Sequence, residues 1–132
     1  MQKYVVSTLL AVASLASAQT APMTREDYAA AKARIEAEGD RAEAQCKTMQ
    51  GNAKEVCEEE AEGKEKVARA ELEQQYKPSA GNTRKVQAAR MEAEYDAAKA
   101  RCGDQSGSAK KACEKEAEAV QARNKTQLKA AK

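Results

Sequence analysis

Small and apolar side chains recur at alternating steps of three and four along much of the chain, with charged residues between them. Tyr28, Ala31, Ile35, Gly39, Ala42 and Cys46 form one such row, a heptad-like seam on one helical face. Met23-Thr24-Arg25-Glu26-Asp27-Tyr28 marks its start. Thr24 can cap, Glu26 and Asp27 suit the positive end of the helix, and Met23 can staple onto Tyr28. Gly51-Asn52 breaks the pattern, and Asn52 is expected to cap a second helix with Glu55 at the capping-box position. That helix should run to Lys77 and stop at the linker Pro78-Ser79-Ala80-Gly81-Asn82. A third helix, capped by Asn82 or Thr83, carries Ala88, Met91, Tyr95, Ala98 and Cys102 on the same spacing. After a turn over 103–107, where Ser108 takes the place of Asn52, a fourth helix is expected from Ala109 towards a frayed basic tail over 125–132.

The plan is written twice. Sliding the chain by 56 positions lays residues 34–62 on 90–118 with 16 identities in 29 positions. The match includes a Gly-x-Ala-Lys segment and both members of a C-x10-C pair, Cys46 with Cys57 and Cys102 with Cys113. Two helices joined by a short turn make an αα-hairpin, so each repeat predicts one. The midpoint of Cys46 and Cys57 falls at Gly51-Asn52, and that of Cys102 and Cys113 at Gly107-Ser108. Residues equidistant from the turn of an antiparallel hairpin lie at one height, so each pair sits where a disulfide can cross. Reflection about the first turn sets Ala42 near Ala61, Ile35 near Ala68 and Ala31 near Leu72. Reflection about the second sets Ala98 near Ala117 and Tyr95 near Val120. Four cysteines allow three pairings. Cysteines 11 positions apart meet soonest after the turn forms, which favours Cys46–Cys57 and Cys102–Cys113 over bridges between the repeats. A bridge closing a loop of this length adds roughly 3 kcal/mol by restricting the unfolded chain.

Composition makes those bridges matter. The chain has no Trp, Phe or His, and after residue 18 its aromatics are Tyr28, Tyr76 and Tyr95. Alanine must do most of the packing, and at about 25 cal/mol per Å² of apolar surface it contributes little per residue. Before that point Lys3, an apolar run over 4–15 and Ala16-Ser17-Ala18 read as an export signal over 1–18, cleaved after Ala18. The run falls short of the roughly 20 apolar residues that a membrane span needs, and no cysteine follows it closely enough for lipid attachment. Export with four cysteines predicts an oxidising compartment such as a bacterial periplasm. The net charge of +2 is made of interleaved acid and base, which selects neither nucleic acid nor anionic lipid.

No catalytic, cofactor-binding or metal residues are assigned. Structural zinc sites bring ligands in close C-x2-4-C pairs, often with His, whereas here the spacing is ten and His is absent. Redox dithiols use C-x-x-C. The run Glu58-Glu59-Glu60 with Glu62, beside Lys54, Lys64 and Lys66, reads as a solvated face with i,i+4 pairs. Without histidine no Ser/His/Asp or Cys/His arrangement can form, and no Gly-rich phosphate loop follows a strand. The basic tail lacks apolar anchors and interleaved aromatics, so it reads as a solvated helix end.

The stretch YAAAKARIEAE…AQC…GNAKEVCEEEAEGKEKVARAELEQQYKPS, echoed by YDAAKARC…GSAKKACEKEAEA, resembles a group of small uncharacterised proteins of proteobacterial envelopes. These share a signal peptide, Ala/Lys/Glu-rich helices and a duplicated cysteine-bracketed GNAK segment, and are sometimes labelled TolA-like after the helical arm of the periplasmic TolA protein. The resemblance implies periplasmic helices and supplies no activity.

The expected protein is all-α, with a signal peptide (1–18), a helical hairpin (19–77), a linker (78–82) and a second hairpin with its basic tail (83–132). The two disulfide-stapled hairpins either pack side by side as an irregular four-helix bundle or are strung out through Pro78. The function expected is that of a non-catalytic exported envelope protein with a structural, stress-related or protein-binding role, its partner an envelope protein and not nucleic acid. The alternative is a metal- or thiol-handling periplasmic protein that uses the four cysteines.

Overall fold

The computed structural model describes residues 22–130. The export signal over 1–18 and its cleavage site lie outside the described residues. Four helices follow one another, α1 (Arg25–Cys46), α2 (Gly51–Tyr76), α3 (Ala80–Arg101) and α4 (Gly107–Ala130), with one turn of 3-10 helix at Cys102–Asp104 and no strand among the described residues. At 1.5 Å per residue, each spans on the order of 35 Å.

Thr24 caps α1 as its sequence suggests. Its hydroxyl accepts from the Asp27 N–H at 3.0 Å, and the Asp27 carboxylate accepts in return from the Thr24 backbone N–H. The start of α2 departs from expectation. Gly51 has φ +62° and turns the chain directly into the helix, so Gln50 becomes the N-cap and Asn52 the second helical residue. From there the Asn52 side chain makes no capping hydrogen bond. Its amide is instead buried against Gly103 of the other turn, with neither polar atom hydrogen-bonded. Gly107, 56 positions on, has φ +56° and likewise starts α4 two residues before the expected Ala109. The basic tail, expected to fray, is helical to Ala130.

The third helix is also capped earlier than Asn82 or Thr83. Ser79 after Pro78 is extended, and its hydroxyl accepts from the Asn82 N–H at 3.0 Å, so α3 begins at Ala80. Asn82 then donates through its side-chain amide to the Lys77 carbonyl at 2.8 Å and ties the start of α3 to the end of α2. The connection is therefore Lys77, Pro78 and Ser79: α2 stops at Tyr76, one residue before the expected Lys77, and Ala80, Gly81 and Asn82 of the expected linker belong to α3.

The two disulfide-stapled antiparallel hairpins pack side by side. α1 lies on α2, α2 on α3 and α3 on α4, and no other pair of helices makes more than a marginal contact among the described residues. The most extensive of these contacts joins α2 to α3, across the two repeats. Gly63 is buried there, and a Cβ on it would stand 2.7 Å from the Cβ of Ala93. Ala61, Leu72, Ala97, Ala100 and Ala117 are buried with Cys46 and Cys102. Leu72 is the one large aliphatic among them, which leaves the interior thin. Exposed ion pairs edge the α2–α3 seam: Arg101 with Glu60 at 2.5 Å, Arg90 with Glu71 at 2.5 Å and Lys66 with Glu92 at 3.4 Å. Each such exposed pair adds at most about 1 kcal/mol.

Candidate functional site

Both stapled turns lie at one end of the molecule, brought together where Asn52 meets Gly103. Even so, the bridges stay within the hairpins: Cys46 pairs with Cys57 (Cα–Cα 5.4 Å) and Cys102 with Cys113 (Cα–Cα 5.7 Å). Cys46 and Cys102 are fully buried. Every cysteine is committed to a disulfide, so no thiolate is on hand as a ligand or nucleophile.

Beside the staples a polar groove of about 320 Å³ runs between α2, α3 and the start of α4, lined by Glu55, Glu59, Asp96, Lys99, Lys110 and Glu114. The acidic run of α2 divides around it. Glu58 and Glu62 pair within their own helix with Lys54 (3.8 Å) and Lys66 (3.0 Å), as the i,i+4 pattern predicts, and Glu60 crosses to Arg101. Glu59 faces the groove. Burial, then the negative charges of Asp96 and Glu62, raise its carboxyl above the ordinary glutamate value, with Lys66 opposing. Sequence reasoning treats the four glutamates alike because Asp96 is 37 positions from Glu59. No set of three or more Asp, Glu, Cys or His side chains among the described residues is arranged to hold a metal ion.

Each hairpin also has a longitudinal groove between its two helices, and the two grooves occupy equivalent positions. In the first, Ile35, Gly39 and Ala42 of α1 face Ala61, Lys64 and Ala68 of α2, with Glu38 and Glu65 at the edges. Moving every one of those eight residues by 56 positions gives Met91, Tyr95, Ala98, Ala117, Val120, Asn124, Glu94 and Gln121, and all eight line the groove between α3 and α4. The residues expected to face each other near the turns, Ala42 with Ala61 and Ile35 with Ala68 in one hairpin, Ala98 with Ala117 and Tyr95 with Val120 in the other, share these grooves. Their chemistry has diverged. Lys64 becomes Val120, Glu65 becomes Gln121 and Gly39 becomes Tyr95, while Glu38 and Glu94 stay acidic. The first groove mixes small apolar residues with Glu38, Lys64 and Glu65, and the second is predominantly apolar with an acidic rim.

The consequence for helix pairing is direct. Gly39 is buried, and a Cβ there would collide with the Glu65 side chain. That closeness lets Arg69 reach both Glu65 at 2.6 Å and, across the hairpin, Glu36 at 3.2 Å. Further down, Tyr28 stacks on Tyr76 with ring centres 4.5 Å apart and donates its hydroxyl to Glu73. That hydrogen bond, with a smaller contribution from burial, raises the Tyr28 pKa.

No protein-family model matches this chain, and comparison with curated proteins and with solved structures finds no match.

Proposed function

We propose that this is a non-catalytic protein of an oxidising envelope compartment, the periplasm, released from its signal after Ala18, with a structural or stress-related role exercised by binding another protein. The observation that carries the reading is the closure of all four cysteines into two bridges inside the hairpins. Such bridges persist in exported proteins and are reduced in the cytosol, and a chain with so thin a core depends on them. No helix among the described residues is long and apolar enough to cross a membrane. The exposed residues of α1 include both bases and acids, as in Lys32, Arg34, Asp40 and Arg41, a mixture that suits another mixed-charge protein surface better than a polyanion. Membership of the small proteobacterial envelope proteins with duplicated GNAK segments belongs to the same reading.

The test is intact mass and thiol titration of the protein released by osmotic shock without reductant. A chain beginning at Gln19 with no free thiol supports the proposal. Four titratable thiols would move the protein to the metal- or thiol-handling class, and retention of residues 1–18 would remove it from the soluble periplasm.

A further inference from the structure

The groove between α3 and α4 lacks the basic residue of its counterpart. In the first hairpin a lysine, Lys64, lies in the groove alongside Glu38 and Glu65. In the second, valine stands at that position, and none of the lining side chains is basic. Glu94 and Glu116 line it, and Met91, Tyr95 and Val120 supply its large apolar surfaces. Glu116 has a distant partner in Arg123 at 3.9 Å. Glu94 enters no ion pair among the described residues. Lys99 stands 5.9 Å from the centre of the Tyr95 ring but lines the neighbouring polar groove, not this one. The space is about 270 Å³, just below the usual size of pockets for drug-sized ligands, which suits a small ligand. An apolar floor containing an aromatic ring, with two carboxylates at its rim of which Glu94 is unpaired and Glu116 only loosely paired with Arg123, is complementary to a ligand that is apolar at one end and cationic at the other.

We propose that the α3–α4 groove binds a small amphiphilic cation, its alkyl or aryl part between Met91, Tyr95 and Val120 and its ammonium group beside Glu94 and Glu116. The first hairpin lacks this capacity, because Lys64 repels the head group and Gly39 offers no ring. The site is formed by the stapled hairpin itself, so its occupation does not depend on the compartment or partner inferred above.

Three probes of equal chain length, used below their micelle concentrations, separate the alternatives: decyltrimethylammonium, decyl maltoside and decyl sulfate. Each is titrated into the oxidised protein by calorimetry, with the methyl signals of Met91 and Val120 and the ring signals of Tyr95 followed by NMR. The cation is expected to shift those signals and to bind about tenfold more tightly than the anion, a difference of 1.4 kcal/mol. Val120→Lys, which writes the residue of the first hairpin into the second, should weaken it about tenfold while leaving the melting temperature unchanged. Glu94→Gln with Glu116→Gln should weaken the cation about threefold and leave the maltoside unaffected. Equal binding of all three probes, no binding by any, or shifts centred on Ile35 and Ala42 would overturn the proposal. So would shifts at Met91 and Tyr95 that grow with protein concentration alone, accompanied by dimer in sedimentation, since the groove would then be an interface between copies.

Discussion

In the first hairpin three devices hold the helices along their length: the Cys46–Cys57 bridge at one end, Arg69 between Glu65 and Glu36 in the middle, and the Tyr28–Tyr76 stack with the Tyr28–Glu73 hydrogen bond at the other end. In the second, the Cys102–Cys113 bridge stands at the same place, but no ion pair or side-chain hydrogen bond joins α3 to α4 among the described residues. Arg90, Glu92 and Arg101 of α3 pair the other way, with α2. A duplicated segment with the same cysteines has thus become one hairpin fastened along its length and one fastened at a point, with an apolar groove where the fastenings would be. The lengthwise fastenings and the apolar groove fall in different hairpins.

Removing the bridges is the largest perturbation. Cys46→Ala/Cys57→Ala and Cys102→Ala/Cys113→Ala should each cost about 3 kcal/mol, since the two loops are equally long. The way each protein opens should differ. Without Cys102–Cys113, amide exchange across α4 should become fast while α1 to α3 stay protected. Without Cys46–Cys57, α1 should remain docked through Tyr28 and Arg69. Equal loss of protection in α1 and α4 would break the comparison.

Filling the close approaches comes next. Gly39→Tyr writes the residue of the second hairpin into the first and drives a ring against Glu65, with an expected loss of about 1–3 kcal/mol confined to the α1–α2 pairing. Gly63→Ala pushes a methyl group into Ala93 at the seam that both hairpins share, so a loss of about 1–3 kcal/mol should appear as one cooperative transition. Thermal melts followed by circular dichroism measure both losses, and amide exchange shows which helices open.

Smaller effects come from single titrating groups. Tyr28→Phe should lower the melting temperature modestly, by removing the hydrogen bond to Glu73. The Tyr28 pKa is raised in the folded protein from 10.0. Its contribution is therefore present below pH 10.0 and disappears as pH rises through the elevated value. Melts from neutral to alkaline pH should show wild type and variant converging, and a gap that persists at high pH would contradict the assignment. Glu59 gives the smallest effect. Its pKa is raised from 4.5, so the folded state binds the proton more tightly, and the favourable contribution is present below pH 4.5 and lost as pH rises through the elevated folded value. Glu59→Gln should melt slightly higher than wild type at pH 7, and the advantage should vanish in acid. A variant less stable than wild type at neutral pH would show that neither burial nor the charge of Asp96 penalises ionised Glu59.

The amino-acid pattern by itself determined the number of helices, the Thr24 cap, the pairing of the cysteines within each repeat and the levels at which Ala42 meets Ala61 and Tyr95 meets Val120. These follow from local geometry: once a turn is placed, reflection about it fixes the heights, and a loop 11 positions long closes before a longer one can. The tertiary structure decided the rest. Nothing in the pattern marks Gly63 and Ala93 as the place where the two hairpins meet, because small residues are as compatible with a solvated helix face as with a close packing seam. Asn52 reads as a cap until Gly51 adopts positive φ and the amide turns towards Gly103. Glu59 differs from its neighbours because the other hairpin packs over it, partly burying its carboxyl and bringing Asp96 alongside. The apolar groove is written in the substitutions of Val120 for Lys64 and Tyr95 for Gly39, but those positions line one cavity only when α3 and α4 stand side by side, and that depends on how alanine-rich faces rotate against each other, which helical periodicity leaves free.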